Sequence, residues 1–141
     1  MLNFTLSELI HSDTADKYNL NNMPDIKSLD NLLCLIIECL QPVRDVFGMP
    51  MIISSGFRTK RINELVGGSE NSEHKTGCAA DFIIRGLTPA QIVERIRKTN
   101  IPFNQLIEEH GKNAVWVHIS YQKKGNKREV LRYKNGKYTR I

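Results

Sequence analysis

The sequence predicts an α+β domain in which N-terminal helices pack on a small antiparallel sheet. In the first half, apolar residues between positions 29 and 47 recur at intervals of three and four, as on one face of a helix. After residue 103 the pattern changes to alternation, which is typical of half-buried strands. A chain of 141 residues can bury one core and is too short for two, so residues 1–141 are expected to form a single domain.

The strongest periodic signal predicts one long amphipathic helix that includes Leu29 and Phe47. Pro42 lies inside this pattern and is expected to bend the helix, because proline lacks a backbone donor and crowds the preceding turn. Gly48 and Pro50 follow the last periodic residue and are expected to end it.

The middle of the chain predicts two strands around a loop. Residues 51–54 indicate a short buried strand, and residues 59–68 indicate a short helix. Residues 67–77 contain almost no apolar side chain, which is typical of a loop. Residues 78–84 then have the composition of a strand.

The last helix begins with a capping box, since Thr88 is followed three residues later by Gln91, with Pro89 at the first helical position. Strands are expected at residues 103–109 and 114–120, joined by a turn.

The C-terminal region, residues 122–141, is predicted to form a basic hairpin. It contains eight Lys or Arg residues and one Glu, and Asn135-Gly136 is a type I′ turn signal that sets Tyr133 opposite Tyr138. Such a charge suits a polyanion, but lysines also protect the open edge of a sheet. No nucleic-acid partner is expected, because few aromatic residues accompany the charge and no recognised motif is present.

Composition narrows the cellular setting. Three cysteines with no metal-binding or redox spacing indicate folding in a reducing compartment. The N-terminus lacks the features of a signal peptide, and no apolar run approaches the length of a membrane span. We therefore expect a protein that is made in the cytoplasm and has no membrane span. We also expect it to be a monomer.

His74, Asp81 and His118 are the candidate metal ligands. Two imidazoles and one carboxylate, with a further position left for water, form the ligand set of a catalytic zinc. Strand alternation turns Cys78 to the face opposite Asp81, which favours a core role for the thiol. Scattered polar residues of a loop and a half-buried histidine could give the same pattern, so spacing alone leaves both interpretations open.

A metal-activated water needs a base, and Glu109 is the candidate. If strands 103–109 and 114–120 form a hairpin, Glu109 lies roughly opposite His118 while Glu108 points to the other face. A register slip of one residue would exchange the two glutamates. Arg58 carries a planar fork suited to a substrate carboxylate or amide, although a plain surface arginine is the alternative.

Several segments together closely resemble the M15 zinc peptidases, in the branch of D-Ala-D-Ala carboxypeptidase-like proteins common in bacteriophages. The matching segments are "SGFR" at 55–58, "NELVGGSENSEHKTGCAAD" at 63–81, "FNQLIEE" at 103–109 and "WVHIS" at 116–120. The pattern SxHxxGxAxD is satisfied by Ser72, His74, Gly77, Ala79 and Asp81.

The resemblance implies the fold shared by the hedgehog signalling domain and D-Ala-D-Ala peptidases, with one zinc ion held by His74, Asp81 and His118. It further implies a general-base carboxylate and a catalytic arginine that holds or polarises the substrate, which we place at Arg58. Substrate binding is expected from Arg58, Ser72 and Gln105. Better-known members carry the acid three residues before the last histidine ligand. That position is Val115 here, so Glu109 is expected to supply the carboxylate from the neighbouring strand.

The function implied is a zinc-dependent carboxypeptidase or endopeptidase that hydrolyses D-amino-acid-containing stem or cross-link peptides of bacterial peptidoglycan. A phage endolysin or wall-processing enzyme is expected, acting after release or as part of a virion. The alternative is a non-catalytic phage structural or wall-binding protein that retains the fold.

Overall fold

The computed structural model describes residues 1–141 and contains six α-helices and one six-stranded sheet. The helices are α1 (Leu6–Ile10), α2 (Asp13–Lys17), α3 (Ile26–Leu35), α4 (Gln41–Phe47), α5 (Lys60–Leu65) and α6 (Pro89–Arg97). The strands are β1 (Ile52–Ser55), β2 (Ala79–Ile83), β3 (Gln105–His110), β4 (Val115–Ser120), β5 (Glu129–Lys134) and β6 (Lys137–Arg140). No helix combines the length and the apolar composition that spanning a bilayer requires.

The predicted long helix corresponds to α3 and α4 joined by a π-helical turn at Ile36–Leu40. In this turn the N–H of Gln41 donates to the carbonyl of Ile36, five residues earlier. The wider turn immediately precedes Pro42, where proline cannot continue the regular hydrogen-bond pattern. Gly48 ends α4 with a φ of 62°, as the sequence predicts.

The capping signals of α6 form as predicted. The Thr88 side chain accepts a hydrogen bond from the Gln91 backbone, and the Gln91 side chain accepts one from the Thr88 backbone. The helix buries Ile92, Val93 and Ile96 against the sheet, which fixes its inward face.

The sheet has the strand order β1-β2-β4-β3-β5-β6, and it is mixed rather than antiparallel. The prediction of an antiparallel sheet is wrong at one pair, because β5 runs parallel to β3. Both edges of β4 are already paired, with β2 and with β3, so the next strand cannot pair with β4. Residues 121–128 instead cross to the open edge of β3. There the N–H of Arg128 donates to the Phe103 carbonyl at 2.9 Å, and that of Glu129 donates to Asn104 at 3.0 Å.

The two faces of the sheet have different roles. One face packs on the helices in a cluster of 22 buried residues that includes Phe82, Leu106 and Ile119. Because side chains alternate along a strand, Asp81 and His118 point from the opposite face. The strand β1 lies at the sheet edge and leaves Ile52 38% exposed, so the prediction of a short buried strand at 51–54 is wrong about burial.

Candidate active site

A short 3₁₀ turn, Glu73–Thr76, positions His74 beside the sheet. The Ser72 side chain accepts a hydrogen bond from the His74 backbone N–H at 3.2 Å and caps the turn. The turn ends at Gly77 with a φ of 77°, where a Cβ would lie 2.3 Å from the Ser28 carbonyl oxygen. Only glycine meets both conditions, so Gly77 allows the turn to pack closely on α3.

The His74 ring is held by a backbone carbonyl. Its Nδ1 lies 2.7 Å from the carbonyl oxygen of Gly56, an atom that can only accept a hydrogen bond. In the neutral ring the proton of His74 is therefore on Nδ1 and Nε2 is free for a metal ion, whereas in the protonated ring Nε2 donates to Asp81 Oδ1. A backbone acceptor behind an imidazole is the usual support for a metal-binding histidine.

Asp81 and His118 face each other across β2 and β4, where they are register partners. The Asp81 Oδ1 lies 2.9 Å from His118 Nδ1 and 3.2 Å from His74 Nε2. One ligand atom from each of the three residues lies within 4.8 Å of the others, and all three residues are buried. The three predicted residues thus converge, and the group could bind a metal ion.

Burial and charge act in opposite directions on this cluster. Burial alone raises the pKa of the Asp81 carboxyl, but the charge of His74 and hydrogen bonds from both imidazoles hold that pKa well below its usual range. Burial lowers the pKa of His118, and the hydrogen bond and charge of Asp81 outweigh it, so the net shift is upward. Asp81 is therefore an ionised carboxylate in a buried setting, which suits a cation.

Arg58 contacts the cluster from the side. Its guanidinium lies 3.4 Å from Asp81 Oδ2, with further contacts to Ser55 Oγ at 3.0 Å and to Asn63 Oδ1 at 3.2 Å. Burial lowers the pKa of Arg58, although the charges of Asp81 and Glu109 oppose the shift. The sequence predicts that the Arg58 guanidinium binds the substrate. In the structure this guanidinium also contacts Asp81, a candidate metal ligand.

Glu109 lies beside the cluster on the same face of the sheet. Its Oε1 is 3.9 Å from His118 Nδ1, and burial raises the pKa of its carboxyl. The expected pairing is wrong in detail, because Glu109 is the register partner of Trp116 while His118 pairs with Ile107. A shift of two residues keeps the same face, so the Glu109 side chain still reaches the site.

Glu108 is directed to the other face, as alternation predicts. Its carboxylate is 4% exposed, forms an ion pair with Arg132 and lies 3.0 Å from His110 Nε2. Burial raises the pKa of Glu108, but the hydrogen bonds and charges of Arg132 and His110 lower it overall. This glutamate is thus engaged in holding β5 to the sheet.

An open cleft of about 970 Å³ gives access to the cluster. The three candidate ligands, Arg58 and Glu109 line it together with Ser72 and Gln105. The loop before the 3₁₀ turn forms part of the rim, through residues 66–69. A buried cluster that could bind a cation and that opens to a cleft is a suitable place for a substrate.

The peptidase M15 family model matches residues 2–120 and so includes every residue of the cluster. The chain belongs to the peptidase M15 family. A comparison with curated proteins gave no significant match. The match makes this chain a peptidase, in agreement with the resemblance seen in the sequence.

Two predicted substrate residues of this M15 peptidase line the cleft with their polar groups already engaged. Ser72 caps the turn that carries His74, and the Gln105 side chain donates to Glu129 Oε1 at 2.7 Å. Both residues therefore have a structural contact besides any contact with substrate.

Sequence reasoning missed two sets of residues at this M15 site. Ser55 and Asn63 support Arg58, and nothing in their local pattern records that contact. Tyr133 and Tyr138 line the cleft although they lie beyond the matched region. The Asn-Gly turn predicted that these two tyrosines pair with each other. They reach the cleft because β5 pairs in parallel with β3, which the sequence did not predict.

Proposed function

We propose that this M15 peptidase is a zinc-dependent hydrolase of peptide bonds in bacterial peptidoglycan. The observation that carries the proposal is the buried cluster of His74, Asp81 and His118 at an open cleft, within a family that is zinc-dependent. Two imidazole nitrogens and one carboxylate oxygen match the donor set of a catalytic zinc site. We further propose that residues 1–141 form one peptidase domain with the hedgehog and D-Ala-D-Ala peptidase fold.

The residues present fit a zinc ion. The Gly56 carbonyl fixes the His74 tautomer that leaves Nε2 free for a metal, and Arg58 holds the second carboxylate oxygen of Asp81. His74, Asp81 and His118 would hold the ion. Bound zinc supplies Lewis-acid chemistry, since it polarises a carbonyl and lowers the pKa of water toward 7.

Glu109 performs the proton transfers in this proposal. Its carboxylate accepts a proton from the attacking water and delivers that proton to the amine nitrogen as the C–N bond breaks. Burial raises the pKa of Glu109. A raised pKa makes the carboxylate a stronger base, and a carboxyl with a pKa closer to the working pH can still return the proton. Glu109 is partly exposed to the cleft, so a substrate can reach it.

Arg58, Ser72 and Gln105 are proposed to position the substrate. All three line the cleft around the cluster, and each carries a group that can hydrogen-bond to a peptide. Arg58 has a second role in orienting Asp81. The setting we propose is a phage endolysin or wall-processing enzyme, which meets peptidoglycan after release or as part of a virion.

Digestion of purified peptidoglycan tests this function. We expect the protein to release peptide fragments, a chelator to stop the release, and added zinc to restore it. Mass spectrometry of the products separates loss of a terminal D-Ala from opening of a cross-link. A folded, zinc-loaded protein that binds peptidoglycan and releases nothing would support the non-catalytic structural or wall-binding alternative.

A further inference from the structure

The β5–β6 hairpin forms one wall of the active-site cleft. Leu131, Tyr133, Gly136 and Tyr138 all line it. These four residues lie outside residues 2–120, the region that the M15 family model matches. The candidate metal ligands and the proposed base therefore come from the matched region, while this wall comes from a segment beyond it.

Strand pairing fixes the hairpin next to the proposed base. Because β5 runs parallel to β3, Tyr133 is the register partner of Glu109 and Leu131 is the partner of Ile107. Paired residues on adjacent strands share a face and lie about 5 Å apart. On the reverse face, Arg132 forms its ion pair with Glu108 and fastens the hairpin to the sheet.

Tyr138 is the exposed aromatic residue of this wall. It pairs with Tyr133 across the Asn135-Gly136 turn, with the ring centroids 4.7 Å apart and the ring planes tilted by 48°. The Tyr138 residue is 56% exposed, whereas the turn itself has the positive φ values of a tight type I′ connection. A ring supported by a second ring is held in place while its outer face remains free for a ligand.

No charged side chain of the hairpin lines the cleft, and Arg140, which shares a face with Tyr138, is paired with Glu129. Lys134 and Lys137 pair with each other at the tip, one position away from the two tyrosines on each strand, and so point to the reverse face. The lysines are absent from the cleft lining, which is aromatic and apolar on this side. The chemistry that the wall offers is therefore stacking and a phenol hydroxyl.

Burial and the nearby charges of Glu109 and Asp81 raise the pKa of the Tyr138 hydroxyl above its ordinary value. The phenol is therefore neutral near pH 7 and can donate a hydrogen bond. Aromatic side chains supply a large contact area at a low cost in conformational entropy. Flat peptide groups and small alkyl side chains such as that of alanine suit this surface.

We propose that Tyr138, supported by Tyr133, is a substrate-binding residue that packs against the peptide on the Glu109 side of the cleft. The inference rests on the proposed function and adds a determinant of substrate affinity to it. The hydroxyl donates to a peptide carbonyl, and the ring covers the adjoining peptide plane. Tyr138 thus affects how tightly the substrate is held rather than how fast the bond is cleaved.

Steady-state kinetics on a soluble peptidoglycan peptide test this role. We expect Tyr138→Ala to raise KM by about tenfold while kcat stays within about twofold, because uniform binding is lost. Tyr138→Phe keeps the ring and is expected to raise KM by a smaller factor. Tyr18→Ala is the matched control, since Tyr18 is 53% exposed and lies in the N-terminal part, outside the cleft lining. Zinc content should be the same in all variants.

Two results would overturn this inference while leaving the proposed function in place. One is an active wild-type protein whose KM is unchanged by Tyr138→Ala. The other is a fall in kcat at constant KM, which would place the ring in the chemical step. If circular dichroism shows that Tyr138→Ala is unfolded, the same kinetics are measured on Tyr138→Leu, which also removes the ring but keeps an apolar side chain in the strand. A folded wild-type protein that neither binds nor cleaves the peptide overturns the proposed function, and this inference with it.

Discussion

Replacement of Glu109 by glutamine is the most informative single change at the site. The substitution keeps the size and shape of the side chain and removes its capacity to accept a proton. We expect kcat on a peptidoglycan peptide to fall by about 100-fold or more, the usual scale for loss of a general base. A 100-fold fall corresponds to about 2.7 kcal/mol in the activation free energy.

The structure indicates that this change leaves folding intact. Glu109 is 17% exposed and its only ion pair, with His118, is at 3.9 Å. No close hydrogen bond is broken, so the free energy of unfolding should change by no more than about 0.5 kcal/mol. The three proposed zinc ligands are retained, and the zinc content should stay at the wild-type value.

Glu108→Gln is the matched control, because the same chemical change is made one residue away on the opposite face. The Glu108 carboxylate is 4% exposed and bonded to Arg132, so its loss should lower the melting temperature. Because Glu108 does not line the cleft, we expect a kcat close to that of the wild type. Thermal denaturation, metal analysis and steady-state kinetics on both variants separate the two glutamates.

The assignment of the base is refuted if Glu109→Gln binds zinc and keeps the wild-type kcat. A fall in kcat for Glu108→Gln alone would exchange the roles of the two glutamates. If Glu109→Gln loses its zinc while Glu108→Gln keeps it, Glu109 contributes to the metal site rather than to proton transfer.

Three further predictions test the support of the site. Gly77→Ala introduces a Cβ 2.3 Å from a helix carbonyl at a φ of 77°, so we expect a loss of at least about 2 kcal/mol in unfolding free energy, measured by urea denaturation. A melting curve equal to that of the wild type would contradict this reading of the turn. Arg58→Ala releases one oxygen of Asp81 and should weaken zinc binding by about tenfold or more in a competition titration with a chelator; unchanged affinity would remove Arg58 from the support of the site. Because the folded state lowers the pKa of Glu108, its ion pair stabilises the fold above the unfolded pKa and is lost as the pH falls through the folded value. Arg132→Ala should therefore lower the melting temperature at pH 7 and flatten its decline on the acid side, whereas parallel pH profiles would count against the ion pair.

Local signals in the sequence were sufficient for most elements of this fold. The capping box of Thr88 and Gln91 forms because both partners lie within one turn of helix. The Asn135-Gly136 turn forms because both residues accept positive φ, at 52° and 72°. Each of these features depends on residues close in sequence, and so a pattern can record it.

The order and direction of the strands could not be predicted in the same way. The strand β5 pairs with β3 because β4 is already paired on both edges, and it runs parallel to β3 because the chain reverses direction after β4. Both conditions depend on the whole sheet. The register of Glu109 depends on the length of the turn between β3 and β4. Alternation was enough to place Glu109 on the correct face, but not to choose its partner.

The candidate site shows the same division. His74, Asp81 and His118 could be proposed because their residue types match one ligand set, and the structure brings them together. The contacts of Arg58 with Ser55 and Asp81 arise only when the chain folds, and the sequence therefore suggested a substrate role alone.

The zinc content of the purified protein tests the central claim most directly. Elemental analysis after removal of loosely bound metal should give one zinc per chain for the wild type. It should give close to none for His74→Ala, Asp81→Ala and His118→Ala, with folding checked by circular dichroism. His110→Ala is the control, because His110 contacts Glu108 away from the cluster and its loss should leave the zinc content unchanged. A wild-type protein without zinc, or folded ligand variants that each keep a full equivalent, would contradict the proposed site.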